Sequence, residues 1–168
     1  MRLLLLLFLL IPQFSFAKGE DFIKKISSCA EKIQNEYPPE ERVPIKLIVA
    51  QAILESNWGK SRFAIEGNNF FGIRTWDLSR NHLKPLANSE SKFGLVVYGD
   101  MCSSVKDYLF VLNTSEKYSN LRRIRFIELK LWGRVDPILL AKHLEFYSEE
   151  GDTYIAKVVS QIKGIENY

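Results

Sequence analysis

The chain has 168 residues, 26% charged and 46% hydrophobic, with a net charge of +3 at neutral pH. That length is enough for one domain with its own core. The positive balance is weak and contains no basic run, so it offers no nucleic-acid footprint, although it is compatible with a polyanionic wall polymer.

Residues 1–17 read as a secretory signal peptide. Arg2 supplies the positive start, Leu3 to Ile11 is unbroken apolar sequence, and Ser15-Phe16-Ala17 ends in small residues suited to cleavage after Ala17. The apolar run is shorter than the about 20 residues needed to span a bilayer. An uncleaved membrane anchor is the competing reading, and no cysteine stands at the cut to carry lipid. No later stretch is long and apolar enough to cross a membrane, so residues 18–168 are expected to form one exported domain, periplasmic or secreted, and monomeric.

The helical periods follow in order. Phe22, Ile26, Cys29, Ala30, Ile33 and Tyr37 make one stripe, which Pro38-Pro39 ends. Ile45, Ile48, Val49, Ala52 and Ile53 make a second, and Leu47, Ala50 and Leu54 add apolar side chains on its other face. A helix apolar nearly all round belongs in the middle of a domain, and Gly59 ends it. Ser61 caps a short helix stopped by Gly67. Residues 70–76 and 93–98 are β-prone and flank a polar Asn/Ser-rich stretch, which predicts a small β lobe or long hairpin. Asp100 caps a helix carrying Val105, Tyr108, Leu109 and Leu112. Asp136-Pro137 starts another, running to about Tyr147. Asp152 caps the last, with Ile155, Val158, Val159 and Ile162 inward. The fold class is mainly α (α+β).

Cys29 and Cys102 either pair, as an oxidising compartment would favour, or sit as two buried thiols. His82 and His143 share no ligand spacing with them, so neither a metal nor a cofactor is expected.

Glu55 carries the chemistry. It falls at the edge of the second apolar stripe, one turn after Gln51, where burial disfavours its charged form. A carboxylic acid that keeps its proton near neutral pH can serve as a general acid for a glycosidic oxygen. Taken alone, a glutamate at a helix end is more often a solvated surface charge.

Three blocks of sequence change that balance. "AQAILESNWGKSRFAIEGNNFFGIRTW" resembles the signature of bacterial peptidoglycan N-acetylglucosaminidases, glycoside hydrolase family 73, in its Bax-type branch. The pattern A-x-x-E-S-x-W-G-x-S followed by N-N-x-F-G-I falls on Ala52, Glu55, Ser56, Trp58, Gly59, Ser61, Asn68, Asn69, Phe71, Gly72 and Ile73. "VVYGDMCSSVKDYLFVLNTSEKYSNLR" and "LEFYSEEGDTYIAKVVSQI" resemble the later blocks of that family, in its order.

The resemblance implies a lysozyme-like helical domain with a β lobe beside an active-site cleft. It implies cleavage of the β-1,4 bond after N-acetylglucosamine in peptidoglycan glycan strands, with Glu55 as catalytic acid. Two accounts of the second group stay open. In one, a further carboxylate from the β lobe serves, Glu90 rather than Asp77. In the other, the substrate's 2-acetamido group attacks, with Tyr147 or Tyr154 steadying the developing charge. Trp58, Asn68, Asn69, Phe71 and Tyr98 are the expected substrate contacts, although the asparagines could instead shape turns and the aromatics could be core. The rival readings are a lytic transglycosylase or muramidase on the same fold and a catalytically weak wall-binding scaffold.

Overall fold

A computed structural model of the chain describes residues 13–86, 88 and 90–165. The apolar core of the expected signal peptide, residues 1–12, lies outside these. Among the described residues no helix is long and apolar enough to cross a membrane.

The centre is α2 (Ile45–Ser56), in which every residue from Leu47 to Ile53 is buried. It packs against α1 (Gln13–Gln34) on one side and against α7 (Asp152–Ile165) and α6 (Pro137–Ala141) on another. The side-chain amide of Gln34 closes the loop between α1 and α2, donating to Val43 O at 3.0 Å and accepting from Val43 N. Asn57, in the left-handed region at φ 49°, stops α2 immediately after Ser56. This stop fixes Glu55 in the last turn, where the helix emerges from the core.

After α3 (Arg62–Gly67) comes a three-stranded antiparallel sheet of β1 (Arg74–Thr75), β2 (His82–Leu83) and β3 (Gly94–Val96). The order is β1-β3-β2, with Arg74 opposite Leu95 and His82 opposite Val96. Gly94 is required by packing: a Cβ there would lie 2.3 Å from the His82 ring. The expected β lobe is therefore present, but its strands are short, and β2 arises within the polar stretch read as a connection. Backbone pairing to β3 makes His82–Leu83 a strand, a choice that hydrophobic alternation does not encode.

Asp100 caps α4 (Met101–Thr114), accepting from Ser103 N at 2.7 Å. Cys29 and Cys102 form a disulfide that ties α1 to the first turn of α4, across 73 residues of sequence. Of the two readings left open for these cysteines, pairing is the observed one. A short 3-10 turn (Glu116–Tyr118) leads into α5 (Ser119–Trp132), which ends at Gly133 with φ 65°. Sequence periodicity did not reveal α5 because its burial is inverted. Arg125 and Glu128 point inward, while Phe126, Leu131 and Trp132 stay exposed.

Asp136 caps α6 as expected, through Ile138 N and Leu139 N, but α6 stops at Ala141 and not near Tyr147. From Lys142 onward the backbone bonds tighten to an i→i−3 pattern: Lys142 N to Leu139 O, His143 N to Leu140 O, Leu144 N to Ala141 O. This coil tucks Leu144 into the core and swings Tyr147 toward the β lobe. The result is a mainly helical body with a small sheet at one side and a groove between them.

Candidate active site

The groove has a volume of about 990 Å³. The β lobe supplies one wall through Ile73, Arg74 and Trp76, and the coil between α6 and α7 supplies the other through Glu145, Phe146, Glu149 and Glu150. Glu55, Phe71 and Gly72 lie on its floor. Gly72, at φ 65°, leaves the approach to Glu55 open, since even a bare Cβ there would come within 3.4 Å of Glu55 Oε2.

The carboxyl of Glu55 is held above the usual carboxylate range. Burial is the main cause, and the negative charge of Glu150 adds to it; a hydrogen bond from Tyr154 and the positive charge of Arg74 pull the other way. The acid thus keeps its proton to higher pH than an exposed glutamate would.

Beneath it lies an aromatic layer. Phe71 stacks on Tyr108 with ring centroids 4.1 Å apart, and Tyr147 stacks on Tyr154 at 5.6 Å with the planes nearly parallel. The Tyr147 hydroxyl donates to Phe71 O at 2.8 Å, tying the α6–α7 coil to the chain entering the β lobe. The Tyr108 hydroxyl donates to Gln51 Oε1 at 2.6 Å, and Gln51 Nε2 donates to the Tyr154 hydroxyl at 2.8 Å. Burial pushes the phenols of Tyr108, Tyr147 and Tyr154 far above their ordinary range, so they remain neutral hydrogen-bonding groups. Sequence reading passed over Gln51 and Tyr108. The signal was there: Gln51 is the sole polar residue within the continuous buried run Leu47–Ile53 of α2, and a fully buried amide must find partners.

The expected site residues divide. Glu55, Phe71, Tyr147 and Tyr154 come together at or beneath the groove floor. Glu90 does not join them. It is exposed in the turn before β3, outside the groove lining, whereas the wall carboxylates are Glu145, Glu149 and Glu150.

Asn69 is fully spent on the backbone: it donates to Ile73 O and Val96 O, both at 2.9 Å, and accepts from Ile73 N. It shapes the entry to the lobe and presents nothing to a ligand. Asn68 ends α3 at φ 48° and donates to Tyr98 O. The Tyr98 hydroxyl is committed to Asp107 Oδ2 at 2.6 Å. Trp58, at φ 60°, packs beside Phe22 and does not line the groove. Asn69 and Tyr98 are buried with their polar groups bonded within the fold, while Asn68 and Trp58 are half-buried and stand outside the groove lining. Conversely, Trp76 and Phe146, both more than half exposed, put bare rings on opposite walls. Among the described residues, no group of three or more His, Cys, Asp or Glu could hold a metal ion.

Comparison with known proteins bears on this geometry. The glucosaminidase family model, described as mannosyl-glycoprotein endo-beta-N-acetylglucosaminidase, matches residues 30–167. The chain belongs to the glucosaminidase family. Within that setting it is 29% identical over 112 residues to Protein bax of Escherichia coli K12, which covers 67% of this chain and 39% of the relative. It is 40% identical over 53 residues to the exo-glucosaminidase LytG of Bacillus subtilis, covering 32% of this chain and 17% of LytG. The chain therefore spans well under half the length of these curated relatives.

Two solved structures share the fold. The catalytic domain of the autolysin Auto from Listeria monocytogenes superposes with a TM-score of 0.66 at 22% identity, covering 95% of this chain and 96% of that one. The glycoside hydrolase domain of FlgJ from Salmonella typhimurium gives 0.62 at 21% identity, covering 89% and 99%. A glucosaminidase domain of this architecture is what the expected lysozyme-like fold and β lobe describe.

Proposed function

We propose that this chain is a peptidoglycan hydrolase that cleaves the β-1,4 bond after N-acetylglucosamine, with Glu55 as general acid. The observation that carries the reading is a desolvated glutamic acid, Glu55, on the floor of an open groove, in a chain whose family is that of glucosaminidases. In this reading Trp76 and Phe146 stack on sugar rings, Glu55 protonates the leaving oxygen, and Arg74 faces the acetamido and peptide side of the strand. The relative LytG is named an exo-glucosaminidase; here the cleavage is taken as internal to the strand, and the length of released fragments distinguishes the two modes.

Substrate assistance is the better account of the second group. What supports it is that no β-lobe carboxylate lines the groove, its wall carboxylates Glu145, Glu149 and Glu150 all coming from the coil before α7, and that Tyr147 and Tyr154 stand beside Glu55. The 2-acetamido oxygen then attacks the anomeric carbon as Glu55 gives its proton to the departing oxygen, and water later opens the oxazolinium ring. A lytic transglycosylase also works with one acid, and the same lack of a lobe carboxylate favours it as the second reading. The domain is taken to act as a monomer after export from the cytoplasm; the Cys29–Cys102 disulfide supports an oxidising destination.

Digestion of purified sacculi, with mass analysis of the new chain ends, tests this. Reducing N-acetylglucosamine ends support the proposal, 1,6-anhydromuramic ends convert it to the transglycosylase, and no release refutes catalysis. Glu55→Gln keeps size and removes the transferable proton, so it should lose about 100- to 10,000-fold in rate, the order expected for a general acid, with its melting temperature held. Native turnover by that variant would remove Glu55 from the mechanism.

A further inference from the structure

We propose that Gln51 and Tyr108 are positioning residues: the Tyr108 hydroxyl fixes the orientation of the Gln51 amide, and that amide leaves Tyr154 only one direction in which to donate, toward Glu55. The inference concerns the acid assigned above and so rests on that reading for its catalytic consequence, but not for the hydrogen-bond order itself.

Donor counting gives the direction. Tyr108 is fully buried and has one hydroxyl proton, which goes to Gln51 Oε1 at 2.6 Å. Gln51 is also fully buried, so with its carbonyl occupied on that side its Nε2 faces the other way and donates to the Tyr154 oxygen at 2.8 Å. Tyr154 therefore accepts a hydrogen bond from Gln51, and its own proton is left for Glu55, the carboxyl with which its phenol interacts. Turning the amide over would reverse the chain. Oε1 would then face Tyr154 and take its proton, Nε2 would face Tyr108, and the Tyr108 proton would lose its acceptor in a dry site. The arrangement is polarised from the core outward, through α4, α2 and α7 in turn, and ends on the acid.

The consequence is chemical. Once Glu55 has given its proton away, the carboxylate is best stabilised by a donor that is already aimed. Tyr154 is that donor, held in readiness by two residues with no contact to substrate. The other charged or titratable groups facing Glu55 are Arg74 on β1, Glu150 on the coil before α7, Tyr118 of the 3-10 turn and Tyr147. None of these changes in the variants below.

The test is a titration of the free protein, with carboxyl-¹³C glutamate and Glu55→Gln used to assign the Glu55 signal. Tyr154→Phe deletes the donor and should raise the Glu55 midpoint. Tyr108→Phe preserves the ring stacked on Phe71 and deletes only the first proton of the chain; it should raise the midpoint in the same direction by less. Combining the two should add nothing to Tyr154→Phe alone. Gln51→Met, which removes the amide and keeps its length, should also raise it, and serves if the Tyr108 variant fails to fold. In sacculus digestion Tyr108→Phe should lower kcat about tenfold, the order expected for losing a hydrogen bond to a charged group, with KM unchanged.

An unmoved midpoint in both Tyr108→Phe and Gln51→Met overturns the proposal, as does strict additivity with Tyr154→Phe. Because the titration needs no turnover, midpoints that move as stated in a protein releasing no sugar would sink the proposed function while leaving this hydrogen-bond order standing.

Discussion

Removing the disulfide should destabilise this domain strongly while leaving its groove intact. Cys29 lies in α1 and Cys102 in the first turn of α4, with Cα atoms 5.0 Å apart and 73 residues between them. In the chain-entropy account, closing a loop of that length withholds about 15 cal/mol/K from the unfolded ensemble, or about 4 kcal/mol at 25 °C. For a domain of this size each kcal/mol moves the melting temperature by about 2–4 °C, so the double variant Cys29→Ala/Cys102→Ala should melt about 8–16 °C lower. Thermal unfolding by circular dichroism, with and without a reductant, measures this. Reductant should shift the native protein and leave the double variant where it is. The partners α1, α2 and α4 already bury Phe22, Ile26, Val105 and Leu109 among themselves, so the folded state should survive and still digest sacculi at low temperature. A loss under 3 °C would mean that the reduced unfolded chain keeps α1 and α4 together, and the entropy argument would be wrong here.

The remaining predictions concern the groove. Glu150→Gln removes a charge that raises the Glu55 pKa, so the acid should lose its proton at lower pH and the alkaline limb of the rate profile should move down. Arg74→Met removes a charge that lowers it, so that limb should move up; shifts in the same direction for both would contradict the electrostatics described. Trp76→Ala and Phe146→Ala should each raise KM about 2- to 10-fold with kcat held, as expected when a stacking contact of about 0.5–1.5 kcal/mol is lost equally from ground and transition states. Gly94→Val puts carbon where the His82 ring packs. Amide exchange should accelerate in β2 and β3 by roughly the factor that 1–3 kcal/mol of overpacking implies, while α2 amides stay protected.

How much of this was legible in the sequence depends on whether a residue's job is local. The apolar cylinder of α2 and the Ser61, Asp100 and Asp136 caps are local, and they stand where periodicity and cap chemistry put them. The stops are shifted: α1 ends at Gln34 ahead of Pro38, Asn57 and not Gly59 ends α2, and Asn68 follows Gly67 as the end of α3. Helix α5 was missed because its inward face carries Arg125 and Glu128, whose partners, Asn113 and the Asp136 amide, come from other segments. A hydrophobicity pattern cannot report a buried polar side chain whose partner comes from a distant segment. Asn68 and Asn69 illustrate the same limit at the site. Their position in a family motif fits sugar contact equally well, and only the folded backbone reveals that the Asn69 amide is bonded to Ile73 and Val96 and that Asn68 donates to Tyr98 O. Glu90 shows the limit from another side: proximity to a strand does not say whether a turn residue lines the groove, and Glu90 stands outside that lining.

The location of Glu55 has a physical logic that links these observations. A carboxyl that must hold its proton needs desolvation, but a carboxyl that must also release it needs a stabilised anion, and the two demands oppose each other. A surface glutamate meets only the second, and one in the middle of α2 would meet only the first. Placed in the last turn, just before Asn57 forces the chain to leave, Glu55 has the apolar body of the helix behind it and the groove in front. Burial is then the larger influence, and the opposing ones are few and discrete: one phenol and one guanidinium. Such an acid can be retuned by single substitutions at its edges without disturbing the core that desolvates it, which is why Glu150 and Arg74 should move its titration in opposite senses while the melting temperature stays put. If instead either variant lost several degrees of stability along with its pH shift, the acid would be held by the wall charges and not by the helix, and this account of its position would be wrong.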